Sequence, residues 1–212
     1  MAYTALSHDL LQRMESQNCA VCDLIKTTTD RKLDLLLREH VTDIDFMTDF
    51  LRQEGFCEHH ASLMLKKQDP LAHAMMYRQL LDYRLRTPKK RKEASICMMC
   101  NDEKEIEASA VYTFASSLDD DRFLEAYKED GIVCLTHFEA IRKALKQTKS
   151  SFSPVFSDIT LSKYDALRDV LNSVIKKSDY KYNEALLSSS ERRVWKNIVA
   201  LLIDQNMHRN QK

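Results

Sequence analysis

All six cysteines of this 212-residue chain lie in four short motifs that alternate between CxxC and CxxH. The first CxxC and the first CxxH are 34 residues apart, and the second pair of motifs is 33 residues apart. In chain order the motifs are Cys19-x-x-Cys22, Cys57-x-x-His60, Cys97-x-x-Cys100 and Cys134-x-x-His137. This matched spacing, which uses every cysteine, predicts metal binding or redox-active sulfur.

Three cysteines and one histidine form a complete tetrahedral ligand set for a structural zinc ion. We therefore predict two Zn²⁺ sites, each made from one CxxC and the CxxH that follows it. The first would hold Cys19, Cys22, Cys57 and His60, and the second Cys97, Cys100, Cys134 and His137. A cross-braced arrangement, in which the first CxxC pairs with the second CxxH, uses the same eight residues and stays open.

The same ligands allow two other chemistries. Thiolates also bind iron–sulfur clusters, so an iron–sulfur or thiol-based redox or sensory protein is the alternative reading. A thioredoxin-like switch would place its CxxC between a strand and a helix, and no strand is predicted here. His59 is a second candidate beside His60, but the match to Cys134-x-x-His137 favours His60.

Composition favours an all-α fold. The chain has only two glycines and three prolines, whereas turns and hairpins rely on such residues. No apolar run approaches the ~18–20 residues that a bilayer-spanning helix requires. The N-terminus has neither a basic start nor an apolar core, so we expect no secretion signal and a cytoplasmic protein without membrane contact.

Charge indicates the kind of partner. Lysine plus arginine and aspartate plus glutamate each number 32, so the formal net charge is zero. Nucleic acids and anionic membranes usually bind basic surfaces, which makes a protein partner the expectation. The one basic run, Lys89-Lys90-Arg91-Lys92, leaves a weak case for nucleic acid and more often marks a solvated connector.

Apolar periodicity predicts helices over about 6–18, 21–39, 70–86, 101–118 and 160–177, with helices also following Thr42, Cys57, Asp121, Cys134 and Ser188. Thr42 is the expected N-cap of the third helix, Gly55 its C-terminal cap, and Ser188 with Glu191 a capping box. Residues 150–157 are expected to form a loop.

We predict a helical bundle with an internal pseudo-twofold repeat, each half pinned by a Cys3His site. The first repeat is expected over residues 1–86 and the second over 96–148, joined by a basic linker over 87–95. Helices over 149–212 are expected to cover the two repeats.

The motifs with their flanking residues resemble a family of uncharacterised bacterial and archaeal proteins, grouped as a domain of unknown function. The resemblance rests on the two CxxC motifs, on Gly55-Phe56-Cys57-Glu58-His59-His60, and on Gly131-Ile132-Val133-Cys134-Leu135-Thr136-His137-Phe138. It covers about residues 15–145, and Gly131 is offset by one residue from the position of Gly55. The resemblance implies a helical, metal-binding cytoplasmic protein and no particular reaction.

A closed four-ligand site has no free position for a substrate, so we expect a non-catalytic protein-interaction or regulatory module.

Overall fold

The computed structural model describes residues 4–16, 18–87, 96–178, 187–189 and 191–202. Over these residues the chain is helical and forms no strand, apart from one isolated β-bridge. The helices are α1 (Ala5–Arg13), α2 (Ala20–Leu35), α3 (Ile44–Arg52), α4 (Glu58–Leu65), α5 (Pro70–Arg86), α6 (Met98–Ser117), α7 (Asp121–Glu129), α8 (Leu135–Gln147), α9 (Phe152–Lys177) and α10 (Glu191–Leu202). The all-α prediction is confirmed.

The chain divides into two compact units. The first contains the described residues of Met1–Leu24 and Ala108–Gln205, and the second those of Ile25–Glu107. The predicted domain bounds remain a prediction, and most of the predicted basic linker, residues 88–95, lies outside the described residues.

The core of the first unit is aromatic. The ring of Phe114 meets that of Tyr127 edge-on at 5.3 Å, and Tyr127 stacks on Phe156 at 5.5 Å. All three side chains are almost completely buried, and the Tyr127 hydroxyl has a hydrogen-bond partner in the Thr160 hydroxyl at 2.6 Å. Helix α9, which carries Phe156 and Thr160, packs against α8 and α10.

The core of the second unit is aliphatic and rich in methionine. It is built around Phe50, Met64 and Met76, each fully buried, with Leu33 from the α2 side. Helices α3 and α5 pack together in this unit. Met47 and Met99 are buried in the same core.

Several helix boundaries differ from expectation. Helix α1 ends at Arg13 instead of about residue 18, and α2 ends at Leu35 instead of about residue 39, with a π-helical turn, Leu36–His40, after it. The N-cap of α3 is Asp43 instead of Thr42, because the Asp43 carboxylate accepts hydrogen bonds from the N–H groups of Asp45 and Phe46 at 2.9 and 3.1 Å. Helix α9 begins at Phe152, inside the segment predicted as a loop. Pro154 is compatible with this start, because it lies in the first turn of the helix, where its missing N–H would have no intrahelical acceptor. Helix α6 begins at Met98 instead of residue 101.

The capping box of α10 is confirmed. The Ser188 hydroxyl accepts from the Glu191 N–H at 3.2 Å, and the Glu191 carboxylate accepts from the Ser188 N–H at 2.7 Å. The same carboxylate accepts from Ser173 and Lys177 of α9 at 2.7 and 2.9 Å. One side chain therefore both starts α10 and holds it on α9.

The two glycines act in different ways. After α3, Glu54 and Gly55 both have left-handed backbones, with φ of 62° and 95°, and the Gly55 N–H bonds back to the Phe50 carbonyl at 2.8 Å. Glu54, and not Gly55, thus takes the first left-handed position of the cap. At Gly131 the need is space: an added Cβ would lie 2.9 Å from the Tyr127 Cα.

We expect Gly55→Ala to lower the free energy of unfolding by about 1 kcal/mol or more, because φ of 95° strains any residue with a Cβ. An added Cβ would also lie 2.9 Å from Leu80 Cδ2. A cycle with Leu80→Ala, followed by urea unfolding, separates the two causes. The Gly55→Ala loss should persist in the Leu80→Ala background; its disappearance there would show that contact, and not backbone strain, requires the glycine.

Candidate metal centres

The structure gathers the eight predicted ligands into two clusters, in a different grouping from the one expected. Residues Cys19, Cys22, Cys134 and His137 form cluster A, and residues Cys57, His60, Cys97 and Cys100 form cluster B. Each cluster takes its CxxC from one half of the sequence and its CxxH from the other. The within-half grouping is corrected to the cross-braced alternative, which motif spacing alone could not distinguish.

Cluster A lies where two helices of the first unit begin. Cys19 precedes α2, its carbonyl accepts from the Asp23 N–H at 2.9 Å, and Cys22 is in the first turn. Cys134 is the N-cap of α8, and His137 follows one turn later. The positive end of a helix dipole stabilises nearby negative charge, so both helix starts favour thiolates here.

A short backbone contact holds these two helix starts together. Cys19 and Ile132 form the isolated parallel β-bridge, and the Ala20 N–H donates to the Ile132 carbonyl at 3.4 Å. The first two residues of the CxxC motif therefore lie against Ile132, two residues before the CxxH motif. This contact explains locally why Cys19 meets Cys134 across 114 intervening residues.

The donor atoms of cluster A face one another. His137 Nδ1 lies 3.1 Å from the sulfur of Cys134 and 3.3 Å from each sulfur of Cys19 and Cys22. The sulfurs of Cys22 and Cys134 are 3.7 Å apart. All four residues are buried, so their polar atoms are directed at each other instead of at water.

Cluster B has the same design in the second unit. Cys57 is the N-cap of α4 with His60 in its first turn, and Cys97 precedes α6 with Cys100 in its first turn. Among the described residues, these two motifs form no β-bridge like the one at cluster A. Instead, the Gln53 side-chain oxygen accepts a hydrogen bond from the Met98 N–H at 2.6 Å. A side chain thus makes a connection that backbone atoms make in cluster A.

The donor atoms of cluster B also surround one point. His60 Nδ1 lies 3.2, 3.5 and 3.8 Å from the sulfurs of Cys57, Cys100 and Cys97. The sulfurs of Cys57 and Cys100 are 3.6 Å apart. Cys57 is partly exposed, whereas the other five cysteines are buried.

The thiols of each cluster perturb one another's protonation. Hydrogen bonds with Cys134 and Cys19 raise the pKa of Cys22, and hydrogen bonds from Cys19 and Cys22 lower the pKa of Cys134 far below its ordinary range. In cluster B, burial raises the pKa of Cys97, but the hydrogen bond and charge of His60 together with the backbone N–H groups of Cys57 and Cys100 outweigh it and bring the pKa down to about 7. Burial likewise opposes the protonation of His60, yet hydrogen bonds with Cys97 and Glu103 raise its pKa to about 10.

Sequence reasoning missed Glu103. This carboxylate is buried at 3% exposure and lies 3.2 Å from His60 Nε2, on the side of the ring that faces away from the sulfurs. His59, His60 and Glu103 form a third group with close donor atoms. In the sequence Glu103 lies in the charged run Asp102–Glu105, a pattern typical of a solvated helix face. The one signal that could have identified it is its position one helical turn after Cys100.

The other histidines lie outside the cysteine clusters where they are described. His73 contacts the backbone carbonyls of Asp69 and Met64 through its two ring nitrogens, and His40 is 3.5 Å from Asp43. His208 lies outside the described residues. The helices of the described segments include none with the length and apolar character needed to cross a membrane.

We expect mild oxidation of chelator-treated Cys19→Ser protein to join Cys22 to Cys134, because those sulfurs lie 3.7 Å apart. Peptide mapping without reduction identifies the linkage. A bond between Cys22 and Cys57 would contradict the cross-motif grouping.

Cluster B provides a matched test. In the Cys97→Ser variant the same treatment should join Cys57 to Cys100, whose sulfurs are 3.6 Å apart. Scrambled linkages in both variants would show that the clusters do not persist without metal.

Comparison with known proteins found a curated relative and a family model that match this chain. A curated relative from Caldicellulosiruptor sp. (strain Rt8B.4), named "Uncharacterized 23.9 kDa protein in xynA 3'region", is 29% identical over 198 residues, which cover 88% of this chain and 95% of the relative. No solved structure matches the chain. A family model matches residues 8–95 and 84–202, and each stretch contains one CxxC and one CxxH motif. The chain therefore belongs to DUF6062, a family of unknown function.

Proposed function

We propose that clusters A and B each bind one zinc ion, and that the protein is a non-catalytic, zinc-stabilised helical module that binds another protein. The observation that carries the proposal is the pair of compact Cys3His groups, in each of which all four donor atoms lie within 4.8 Å of one another. Such a set satisfies the four positions of a structural zinc ion.

Donor spacing supports a single ion in each cluster. Zn–S distances of about 2.3 Å in a tetrahedron place two sulfurs about 3.8 Å apart, close to the 3.7 and 3.6 Å found between sulfurs here. In a multi-iron cluster the four ligands are divided among different iron atoms, so some of the donor atoms lie further apart than the 4.8 Å within which every pair falls here. Zinc is accordingly favoured over the iron–sulfur alternative.

The closed ligand sets also favour a structural role. Catalytic zinc sites generally use three protein ligands and keep a position for water or substrate, whereas each cluster here offers four. A depression of about 330 Å³ lies between α9 and α10 in the first unit. Its lining is mainly apolar and includes Asp130, Ser189 and Arg193, and none of the eight cluster residues lies in it.

We propose a protein as the partner because the balanced charge of the chain does not favour nucleic acids or anionic membranes. The basic run Lys89–Lys92, the one feature that favoured nucleic acid, lies outside the described residues. A labelled DNA duplex in 150 mM salt should bind no more tightly than the ordinary non-specific range of about 10⁻⁴–10⁻⁶ M. Tighter binding that is lost on replacing the run with alanines would overturn this choice of partner.

The test of the metal is elemental analysis with an absorption spectrum, on full-length protein purified without oxygen and without a metal-binding tag. We expect two zinc ions per chain and no visible absorption, because Zn²⁺ has a filled d shell. Iron with acid-labile sulfide would overturn the zinc assignment, and protein without metal would overturn both metal sites.

Paired variants test the grouping through stoichiometry. Cys22→Ser and Cys22→Ser/Cys134→Ser should each lose one zinc ion, because both cysteines serve cluster A. Cys22→Ser/Cys57→Ser should lose two. Each loss should lower the melting temperature, since binding of a structural metal contributes folding free energy. The opposite stoichiometry, with two ions lost from Cys22→Ser/Cys134→Ser, would restore the within-half grouping.

A further inference from the structure

The carboxylate of Glu103 lies between the side chains of Thr29 and His60. Its Oε1 atom accepts from the Thr29 hydroxyl at 3.0 Å and lies 3.2 Å from His60 Nε2. Both Glu103 and Thr29 are buried, at 3% and 2% exposure. A buried carboxylate is costly unless it is paired and hydrogen-bonded, so this placement calls for a specific partner, and His60 is the adjacent one.

The two nitrogens of His60 face different groups. Nδ1 lies among the sulfurs of Cys57 and Cys100, while Nε2 faces Glu103. A histidine that binds a metal through one nitrogen carries its proton on the other. The geometry therefore suits a ring that offers Nδ1 to a metal and donates Nε2–H to Glu103, the usual carboxylate–histidine–metal arrangement.

The group of His59, His60 and Glu103 also resembles a separate metal site, but the same nitrogen cannot serve both purposes. A metal there would need Nε2 of His60, the atom that carries the proton when Nδ1 binds at cluster B. Cluster B has a complete set of four ligands, three of them thiolates. Glu103 is thus better explained as a partner of His60 than as a ligand.

We propose that Glu103 is a positioning residue for cluster B: it fixes the orientation and protonation of His60 and strengthens metal binding there. This proposal rests on the proposed zinc function. The corresponding position after the first CxxC, three residues beyond Cys22, is Ile25, which cannot accept a hydrogen bond. The two CxxC helices therefore differ at this position, and we expect the two zinc ions to respond differently to changes at Glu103.

The test is Glu103→Gln in the full-length chain, which removes the charge and keeps the shape. Glu105→Gln is the matched control, because Glu105 is on the same helix and accepts from Asn101 on the exposed surface. Competition with a chromophoric chelator measures the affinity of both zinc equivalents. We expect one equivalent to weaken about 10–100-fold in Glu103→Gln, the other to be unchanged, and neither to change in Glu105→Gln. The weakened equivalent should be the one that Cys100→Ser lacks.

A second readout separates positioning from a merely structural effect. Long-range ¹H–¹⁵N correlation spectra should show His60 protonated on Nε2 in the zinc-loaded wild type, with the Nε2–H signal shifted in Glu103→Gln. Thr29→Val removes one donor to Glu103 and keeps the carboxylate, so it should weaken the same equivalent by a smaller factor. This variant provides the test if Glu103→Gln does not fold.

Three outcomes overturn the proposal. Wild-type protein that binds no zinc overturns the proposed function and this inference together. Two wild-type zinc ions with unchanged affinities in Glu103→Gln, or in Thr29→Val if that variant alone folds, overturn the role of Glu103 and leave the zinc function intact. Equal weakening of both equivalents would show a general loss of stability.

Discussion

The structure depends on the meeting of two helix starts at each cysteine–histidine cluster. At such a point the first N–H groups of both helices and their dipoles favour negative charge. The chain supplies that charge as cysteine thiolates. Three thiolates held this close repel one another unless protons or a cation lie between them. A doubly charged ion with tetrahedral preference removes that conflict, which is why we place zinc at the centre of the account.

The cross-motif grouping changes how the chain is tied together. Cluster A joins sequence positions near 20 to positions near 135, and the residues of cluster B lie within that interval. The connection between His60 and Cys97 is the shorter of the two. A link that closes a longer loop removes more conformational freedom from the unfolded chain. Cluster A is therefore expected to contribute more through loop closure, while Glu103 is expected to add to the metal affinity of cluster B.

Much of the fold could be predicted from the sequence because its signals are local. Apolar periodicity located the helices, the Ser188–Glu191 pair marked the start of α10, and cysteine spacing selected all eight residues that cluster. Features that depend on tertiary contacts could not be predicted from the sequence. Nothing in the motif spacing favours Cys134 over Cys57 as the neighbour of Cys22, since that grouping comes with tertiary contacts such as the bridge between Cys19 and Ile132. Glu103 was missed for the same reason: its burial is decided by Thr29 and His60, and its own neighbours are charged.

The most direct test of the central claim is an anomalous-difference map at the zinc absorption edge, from crystals of the full-length protein grown without added metal. We expect two peaks per chain, one bordered by Cys19, Cys22, Cys134 and His137 and the other by Cys57, His60, Cys97 and Cys100. A peak shared between Cys22 and Cys57, a signal at the iron edge in its place, or an empty map in well-ordered crystals would contradict it.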